Sequence, residues 1–282
     1  MTDRFTLIDA PEEFQSAPLR LTVDLSAIAD NWREMARRSG KARAAAVVKA
    51  DAYGLGIEDV GQTLYRAGAR DFFVAVPAEG ATLRPYAPEA RIFVLSGIWP
   101  GQEEIFFEND LVPVIASEEQ LTFWMAVLTE RGPYPCALHV DTGFNRLGLP
   151  MDEAMALVDD VSRPASLDPV LVMSHLACGD DPSSPMNRQQ LEKFQRVSAA
   201  FEGVDSSLSA SAGIFLGADY HFDLTRPGIA LYGGEAVSGA KNPMQPVVKA
   251  EARILQVRNA MAGESVSYGA TQVLERDTLV AI

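Results

Sequence analysis

The stretch "AAAVVKADAYGLG" (residues 44–56) decides the fold that we infer for this chain of 282 residues. Five apolar residues, two of them β-branched, precede Lys49, and Tyr53 follows in a glycine-punctuated loop. A short apolar run bounded by glycines is typical of a buried strand. A buried ammonium group is costly unless it is paired or neutral. Either Lys49 reaches out to solvent, or its nitrogen is used in chemistry.

Short apolar runs alternate with amphipathic stretches from this point to residue 233, which is typical of βα units. The amphipathic stretches predict helices at 57–68, 78–87, 117–131, 151–161 and 187–201. The apolar runs predict eight strands, at 44–49, 72–76, 91–97, 111–116, 136–142, 169–177, 206–211 and 225–233. This number of alternating units indicates an α/β fold, a (β/α)8 barrel that we assign to residues 29–240.

The pattern changes after Gly234, where 245–257, 264–269 and 277–282 predict antiparallel strands. Residues 19–28 also alternate apolar and polar side chains before the first barrel strand. We therefore expect a second, mostly antiparallel β-domain, formed by 1–28 and 241–282. It ends on an apolar strand with no evident partner, and such an edge is an aggregation liability. We expect an incomplete β-domain and hence a truncated product or fragment.

Composition limits the classes of partner. The chain has 24 Lys and Arg against 38 Asp and Glu, a net charge of −14, which argues against a nucleic-acid surface. No run approaches the ~18 apolar residues of a membrane span, and residues 1–15 lack the pattern of a signal peptide. The two cysteines, Cys136 and Cys178, form no metal-binding spacing. These features predict a reduced, cytoplasmic protein.

Several reactive side chains fall at the carboxyl ends of the predicted strands, where the functional groups of a (β/α)8 barrel collect. Each has an ordinary structural explanation, such as a solvent-reaching lysine, a core histidine, a helix-capping serine or an ion-paired arginine. Their shared position at one mouth of the barrel favours a site instead. The candidates are Lys49, Arg146, His175, Ser211 and Arg226, with Gly228 beside the last.

The lysine suggests the chemistry of such a site. Desolvation disfavours the ammonium form of a lysine and lowers its pKa, and a neutral amine can attack an aldehyde. An aldehyde cofactor that carries a phosphate is pyridoxal phosphate, which stabilises a carbanion next to an amine. Its phosphate needs no basic patch, because hydroxyl groups and backbone amides can hold it. The candidates for that role are Ser211, the amides of Gly228 and Ile229, and the hydroxyl of Tyr53.

Five segments that occur in order between residues 20 and 275 closely resemble the motifs of alanine racemases, the fold-type III pyridoxal-phosphate enzymes. They are VVKADAYGLG, HVDTGFNRLGL, SHLACGDDP, TRPGIALYGG and VSYGAT. The resemblance implies a cofactor-binding (β/α)8 barrel followed by a β-domain. It also implies a homodimer that interconverts L- and D-alanine with two bases and supplies D-alanine for bacterial cell-wall precursors.

The resemblance further implies roles for individual residues. Lys49 resembles the lysine that bonds to the cofactor and acts as one base. Tyr268 resembles the second base, which in this family reaches the active site of the other subunit. Arg146 resembles the arginine near the cofactor's phenolic oxygen and the substrate carboxylate. The remaining roles are orientation of the second base by His175, contact with the pyridine nitrogen by Arg226, and binding of the phosphate by Tyr53, Ser211, Gly228 and Ile229.

The chain departs from the family pattern in three places. Ala210 stands where many members have asparagine, and His139 stands where some members have a carbamylated lysine that positions the arginine. The chain also stops before the family's GYADG segment. A carbamate cannot form at His139, so either another anion replaces it or Arg146 is held differently.

Two alternatives remain open. One is a related fold-type III racemase that acts on another amino acid. The other is a non-catalytic pyridoxal-phosphate-binding protein. Single-barrel proteins of that kind lack a β-domain, so the segments LRLTVDL, RILQV and VSYGAT argue against it.

Overall fold

The computed structural model describes residues 18–159 and 167–282. Two compact units divide the chain: one is Asp24–Val247, and the other combines the residues up to Val23 with Val248–Ile282. The division that the sequence predicts, at residues 28/29 and 240/241, stays a prediction. Most of the segment 1–28 and the end of the predicted helix 151–161 lie outside the described residues.

The described strands are mostly short. In chain order they are β1 (Leu19–Val23), β2 (Arg43–Ala44), β3 (Ala46–Val47), β4 (Asp71–Val74), β5 (Arg91–Val94), β6 (Leu111–Ile115), β7 (Tyr134–His139), β8 (Leu167–Met173), β9 (Asp205–Ser207), β10 (Leu224–Thr225), β11 (Val248–Ala252), β12 (Val257–Ala260), β13 (Ser265–Val266), β14 (Gln272–Val273) and β15 (Thr278–Ala281).

The helical segments follow the strands of the first unit. They are α1 (Leu25–Ser39), α2 (Lys49–Gly54), α3 (Ile57–Ala67), α4 (Pro77–Leu83), α5 (Glu103–Glu108), α6 (Glu118–Arg131), α7 (Met151–Asp159) and α8 (Pro185–Ala200). Among the described residues, no helix is long and apolar enough to cross a membrane.

The first unit is the predicted (β/α)8 barrel. Strands β3 to β9 form one parallel sheet in chain order, and β10 pairs in parallel with β2, which directly precedes β3. Hydrogen bonds from Asp223 N to Ser206 O (3.0 Å) and from Arg226 N to Ser209 O (2.8 Å) join β10 to the segment of β9. These contacts close the ring of strands, so the carboxyl ends of all of them lie at one mouth.

Apolar side chains fill the inside of the barrel. Phe73 and Phe93, on neighbouring strands, stack with their ring centroids 4.7 Å apart. The cluster is completed by small and branched residues from the other strands, namely Ala45, Val47, Val112, Val114, Ala137, Leu171, Met173 and Leu224. The barrel is therefore a packed core rather than a pore, and a ligand can bind only at its mouth.

Several predicted segments differ from the structure. Residues 25–28 are helical rather than extended, because the carboxylate of Asp24 accepts a hydrogen bond from Ala27 N (3.0 Å) and caps α1. The last two barrel strands end early, at Ser207 and Thr225, and the chain then forms a 3-10 turn over Ile229–Tyr232. Proline at position 227 has no amide to donate to a strand ladder, which accounts for the second early end.

The second unit contains three antiparallel pairs, β1 with β11, β12 with β15, and β13 with β14. The expectation that the terminal strand has no partner was wrong, because β15 pairs with β12 from Thr278↔Ala260 to Ala281↔Val257. The predicted strand 245–257 is two strands, β11 and the start of β12.

Candidate active site at the barrel mouth

Lys49 directly follows β3 and begins an unusual turn. Residues 50–53 all have positive φ, between 52° and 57°, so α2 is a left-handed turn without a glycine in those four positions. Each such residue costs about 1–2 kcal/mol relative to the right-handed form. Glu79 stabilises the turn from the start of α4: its carboxylate accepts hydrogen bonds from Asp51 N (3.1 Å) and Ala75 N (2.7 Å). The sequence pattern gave no sign of this conformation.

The Lys49 side chain is exposed. The expectation of a buried amine at this position was therefore wrong for the protein without a ligand, because the strand ends at Val47 and the lysine already belongs to the turn at the mouth. Its charge still acts on the site, since it is one of the charges that lower the pKa of His175. The amine thus lies within electrostatic reach of the other candidates.

Tyr53, Ser211 and the turn after Gly228 form a small pocket of hydrogen-bond donors, which we call the phosphate cradle (Tyr53, Ser211, Gly228 and Ile229). The hydroxyl of Ser211 accepts the amides of Gly228 (2.8 Å) and Ala230 (3.3 Å), and keeps its own hydrogen to donate. Tyr53 Oη lies against Gly228, at 2.5 Å from the position that a Cβ there would occupy. Burial raises the pKa of Tyr53, so its hydroxyl stays protonated.

Two further donors of the cradle are free to bind a ligand. Within residues 18–159 and 167–282, neither the Tyr53 hydroxyl nor the Ile229 amide makes a hydrogen bond. The amide of Gly228, predicted as a ligand donor, instead donates to Ser211. The hydroxyls of Tyr53 and Ser211 and the amide of Ile229 are therefore the donors available to an anion such as a phosphate.

Arg226 directly follows β10 and is 3% exposed, with its Cζ 6.0 Å from the centroid of the Phe73 ring. Its Nη1 donates to Ser207 O (2.9 Å), and its Nη2 donates to Ser174 O (2.5 Å). No carboxylate of the described residues pairs with it, and its Nε makes no hydrogen bond to them. Burial lowers the pKa of Arg226 to about 9, so it remains a cation at neutral pH. Its Nε–H can therefore donate to an acceptor of a ligand.

Two histidines line the same mouth, His139 at the end of β7 and His175 just after β8. Burial, and next the charge of Arg226, lower the pKa of His139 to about 4 and that of His175 to about 3. Both imidazoles are consequently neutral at pH 7. A neutral imidazole can accept as well as donate a hydrogen bond, which suits the orienting role implied for His175.

The loop after β7 carries Arg146. The carboxylate of Asp141 shapes this loop by accepting three backbone amides, those of Gly143 (2.8 Å), Phe144 (2.8 Å) and Asn145 (2.9 Å). The exposed guanidinium of Arg146 lies over the ring of Phe144, with Cζ 4.2 Å from the ring centroid. The Phe144 ring in turn contacts His175, at 5.4 Å between centroids.

Gln190, which sequence reasoning missed, ties this loop to the next one. From α8 its Nε2 donates to Thr142 Oγ1 (3.1 Å) and to His175 O (2.9 Å), while its Oε1 accepts Ala177 N (2.8 Å). The side chain is fully buried. Gln190 therefore fixes the loops of Arg146 and His175 relative to each other. Only its position in an amphipathic helix was visible in the sequence.

Tyr268 belongs to the second unit. It begins a 3-10 turn, Tyr268–Ala270, and its side chain is 99% exposed. Its role as a base therefore stays a prediction. The other candidates, Lys49, Tyr53, Arg146, His175, Ser211, Arg226, Gly228 and Ile229, all belong to the barrel unit.

The mouth is cationic although the chain as a whole carries −14. Lys49, Arg146 and Arg226 all lower the pKa of His175, so their fields overlap there. Overlapping positive charge above a packed barrel favours a ligand with anionic groups. The hydroxyl and amide donors of the cradle fit a phosphate, and the buried guanidinium of Arg226 fits an acceptor such as a heteroaromatic nitrogen.

Comparison with known proteins gives consistent results. The family model "Alanine racemase, N-terminal domain" matches residues 23–236. The chain is 75% identical over 271 residues to "Alanine racemase, biosynthetic" of Agrobacterium fabrum, covering 96% of this chain and 69% of that protein. It is 67% identical over 269 residues to the alanine racemase of Rhizobium meliloti, covering 95% of this chain and 71% of that protein.

Solved structures agree with these matches. The crystal structure of alanine racemase from Bartonella henselae with covalently bound pyridoxal phosphate has a TM-score of 0.84 at 36% identity, covering 94% of this chain and 74% of that one. The biosynthetic alanine racemase of Pseudomonas aeruginosa has a TM-score of 0.85 at 32% identity, with the same coverage.

Proposed function

The chain belongs to the alanine racemase family, and on that premise we propose that it is a pyridoxal-phosphate-dependent racemase that interconverts L- and D-alanine. One observation carries the proposal. The turn that begins at Lys49 also holds Tyr53 in the phosphate cradle, next to the turn that follows the buried Arg226. A lysine, an anion cradle and a buried cation at one mouth are the groups that this cofactor requires.

The residues present fit pyridoxal phosphate. The hydroxyls of Tyr53 and Ser211 and the amide of Ile229 would hold the phosphate. Nε of Arg226 would donate to the ring nitrogen, and Lys49 would bond to the aldehyde carbon. When bound, the cofactor stabilises negative charge at the α-carbon of an amino acid.

The reaction removes a proton from one face of the α-carbon and adds a different proton, from the second base, on the opposite face. We assign one face to the amine of Lys49 and the other to the phenol of Tyr268. A tyrosine has an ordinary pKa of about 10 and needs help to act near neutrality. We propose that Tyr268 comes from the partner subunit of a homodimer and that His175 orients it.

Two arginines complete the assignment. Arg146 would bind the substrate carboxylate, because it is an exposed guanidinium with no carboxylate partner among the described residues. Arg226 would keep the ring nitrogen unprotonated, because a positively charged donor beside that nitrogen disfavours its protonation. A weaker electron sink limits side reactions such as transamination. We further propose that the enzyme is cytoplasmic and supplies D-alanine for cell-wall precursors.

The decisive experiment is α-deuterium exchange in heavy water with the pyridoxal-phosphate-loaded protein. L-alanine should lose its α-proton with inversion, giving deuterated D-alanine, and D-alanine should do the reverse. Lys49→Ala serves as the inactive control. Exchange and inversion only with another amino acid would show a different racemase. Cofactor binding without any exchange would show a non-catalytic protein, and either result contradicts the proposal.

A further inference from the structure

The guanidinium of Arg146 has no anionic partner in the part of the chain that the structure describes. Among residues 18–159 and 167–282, no carboxylate lies within ion-pair distance of its guanidinium. Asp141, the acidic residue of the same loop, uses its oxygens for the amides of Gly143, Phe144 and Asn145. An exposed arginine side chain without a partner samples many rotamers, and ordering it on binding costs free energy.

The side chain at the end of β7, where the loop of Arg146 begins, is neutral at pH 7. His139 is buried, and burial together with the charge of Arg226 lowers its pKa to about 4. A neutral imidazole offers no charge to attract Arg146. Among the described residues, the group that orients the guanidinium is therefore neither Asp141 nor His139.

The ring of Phe144 is the group that Arg146 contacts. The guanidinium carbon lies 4.2 Å from the ring centroid, well within the range of a cation–π interaction. Phe144 itself is held: its backbone amide donates to Asp141 (2.8 Å), and its ring lies 5.4 Å from the His175 ring between centroids, tilted by 57°. Phe144 therefore offers a fixed surface rather than a mobile one.

Stacking has a chemical consequence that an ion pair would not have. A guanidinium that stacks through its flat face keeps its N–H groups, which point outward in the plane, free to donate. Two of those N–H groups can bind one carboxylate in a bidentate manner. An anionic partner would occupy some of them before the substrate arrived.

We propose that Phe144 is a positioning residue that holds the guanidinium of Arg146 by its face, so that its N–H edge is presented to the carboxylate of the substrate. The inference rests on the proposed function, because it needs Arg146 to bind that carboxylate. It deepens the function by naming the residue that orients the arginine for its ligand.

The test compares Phe144→Leu, Phe144→Tyr and wild type, all loaded with pyridoxal phosphate. Leucine keeps apolar bulk but removes the π face, whereas tyrosine restores it. We measure KM and kcat for both enantiomers of alanine. We also measure the Kd of propionate, a carboxylate without an amino group, from the absorbance change of the bound cofactor. Phe107→Leu is the matched control, because it removes a similar contact under Arg131 at 5.5 Å, outside the barrel mouth.

For Phe144→Leu we expect KM and the propionate Kd to rise together, by about 5- to 20-fold, while kcat changes less than about twofold. Phe144→Tyr and Phe107→Leu should stay within about twofold of wild type. Unchanged KM and Kd in Phe144→Leu would overturn the inference, as would a fall in kcat alone or a tyrosine variant as impaired as the leucine one. Failure of wild type to racemise alanine would overturn the proposed function instead, and the propionate titration would still decide the role of Phe144.

Discussion

The hydroxyl of Tyr53 lies against the α-carbon of Gly228. A Cβ at position 228 would be 2.5 Å from Tyr53 Oη and 3.4 Å from Tyr53 Cζ. Gly228 has a φ of −126° and a ψ of −88°, a combination outside the regions that other residues favour, so both the backbone conformation and this contact call for glycine. The close approach links the turn of Lys49 to the turn after Arg226.

Gly228→Ala should displace the Tyr53 hydroxyl and weaken pyridoxal phosphate binding by at least about tenfold, measured as the cofactor Kd by fluorescence quenching. Tyr53→Phe removes both the clash and one donor. The double variant should therefore lose less binding than the sum of the two single losses. Gly179→Ala, whose Cβ would make only ordinary contacts from 3.4 Å, is the control. Additive losses in the double variant would contradict the link.

Glu79→Ala should destabilise the left-handed turn, because it leaves the amides of Asp51 and Ala75 without their acceptor. We expect a loss of about 1–3 kcal/mol in the free energy of unfolding in urea, together with weaker cofactor binding. Glu79→Gln keeps one carbonyl acceptor and should lose less. The control is Glu58→Ala, which removes only a hydrogen bond from Tyr86 Oη at the surface. Equal effects at positions 79 and 58 would count against the stabilising role of Glu79.

Acid should destabilise the cofactor-free protein through His139 and His175. Their pKa values in the folded state, about 4 and about 3, lie below the ordinary 6.5. As pH falls, the unfolded chain therefore binds protons at these histidines before the folded protein does. The contribution of the two histidines to stability is complete above pH 6.5, and it is lost as pH falls toward 4 for His139 and toward 3 for His175. Each contributes a slope of up to about 1.4 kcal/mol per pH unit.

His175→Gln should accordingly flatten the stability curve between pH 6.5 and 5 relative to wild type. Urea unfolding at several pH values measures this slope. Both proteins share all other titrating groups, so the difference isolates the histidine. Parallel curves for the two proteins would mean that His175 is not kept neutral by its surroundings.

Tyr268→Phe should separate the two faces of the α-carbon. If the phenol is one base and Lys49 the other, loss of the phenol slows deuterium exchange from one enantiomer at least about tenfold more than from the other. Exchange in heavy water, followed separately for L- and D-alanine, gives the ratio. An equal loss for both enantiomers would remove Tyr268 from its assigned role.

The barrel could be predicted from the sequence because its strands are apolar and its helices amphipathic, as in residues 111–116 and 117–131. Local conformation could not be predicted where tertiary contacts override propensity. Nothing in the segment KADAY (residues 49–53) indicates a left-handed turn. The turn depends on the carboxylate of Glu79, which belongs to the following βα unit. The partner of β15 was missed for a related reason, since an apolar strand does not reveal which earlier strand pairs with it.

The candidate site shows the same limit. Side chains with reactive groups, such as Lys49 and Arg226, could be found from their place at strand ends. Gln190 could not, because a glutamine in an amphipathic helix looks like any surface residue until the fold brings it to Thr142 and His175. The prediction that the Lys49 amine is buried was wrong because the strand ends at Val47, two residues before the lysine.

Borohydride reduction of the protein loaded with pyridoxal phosphate, followed by mass mapping of its peptides, identifies the lysine that carries the cofactor. We predict that the reduced cofactor is found on the peptide that contains Lys49, and that Lys49→Ala takes up none. Cofactor fixed to a different lysine, or equal labelling of Lys49→Ala, would contradict the assignment of Lys49 and the site built around it.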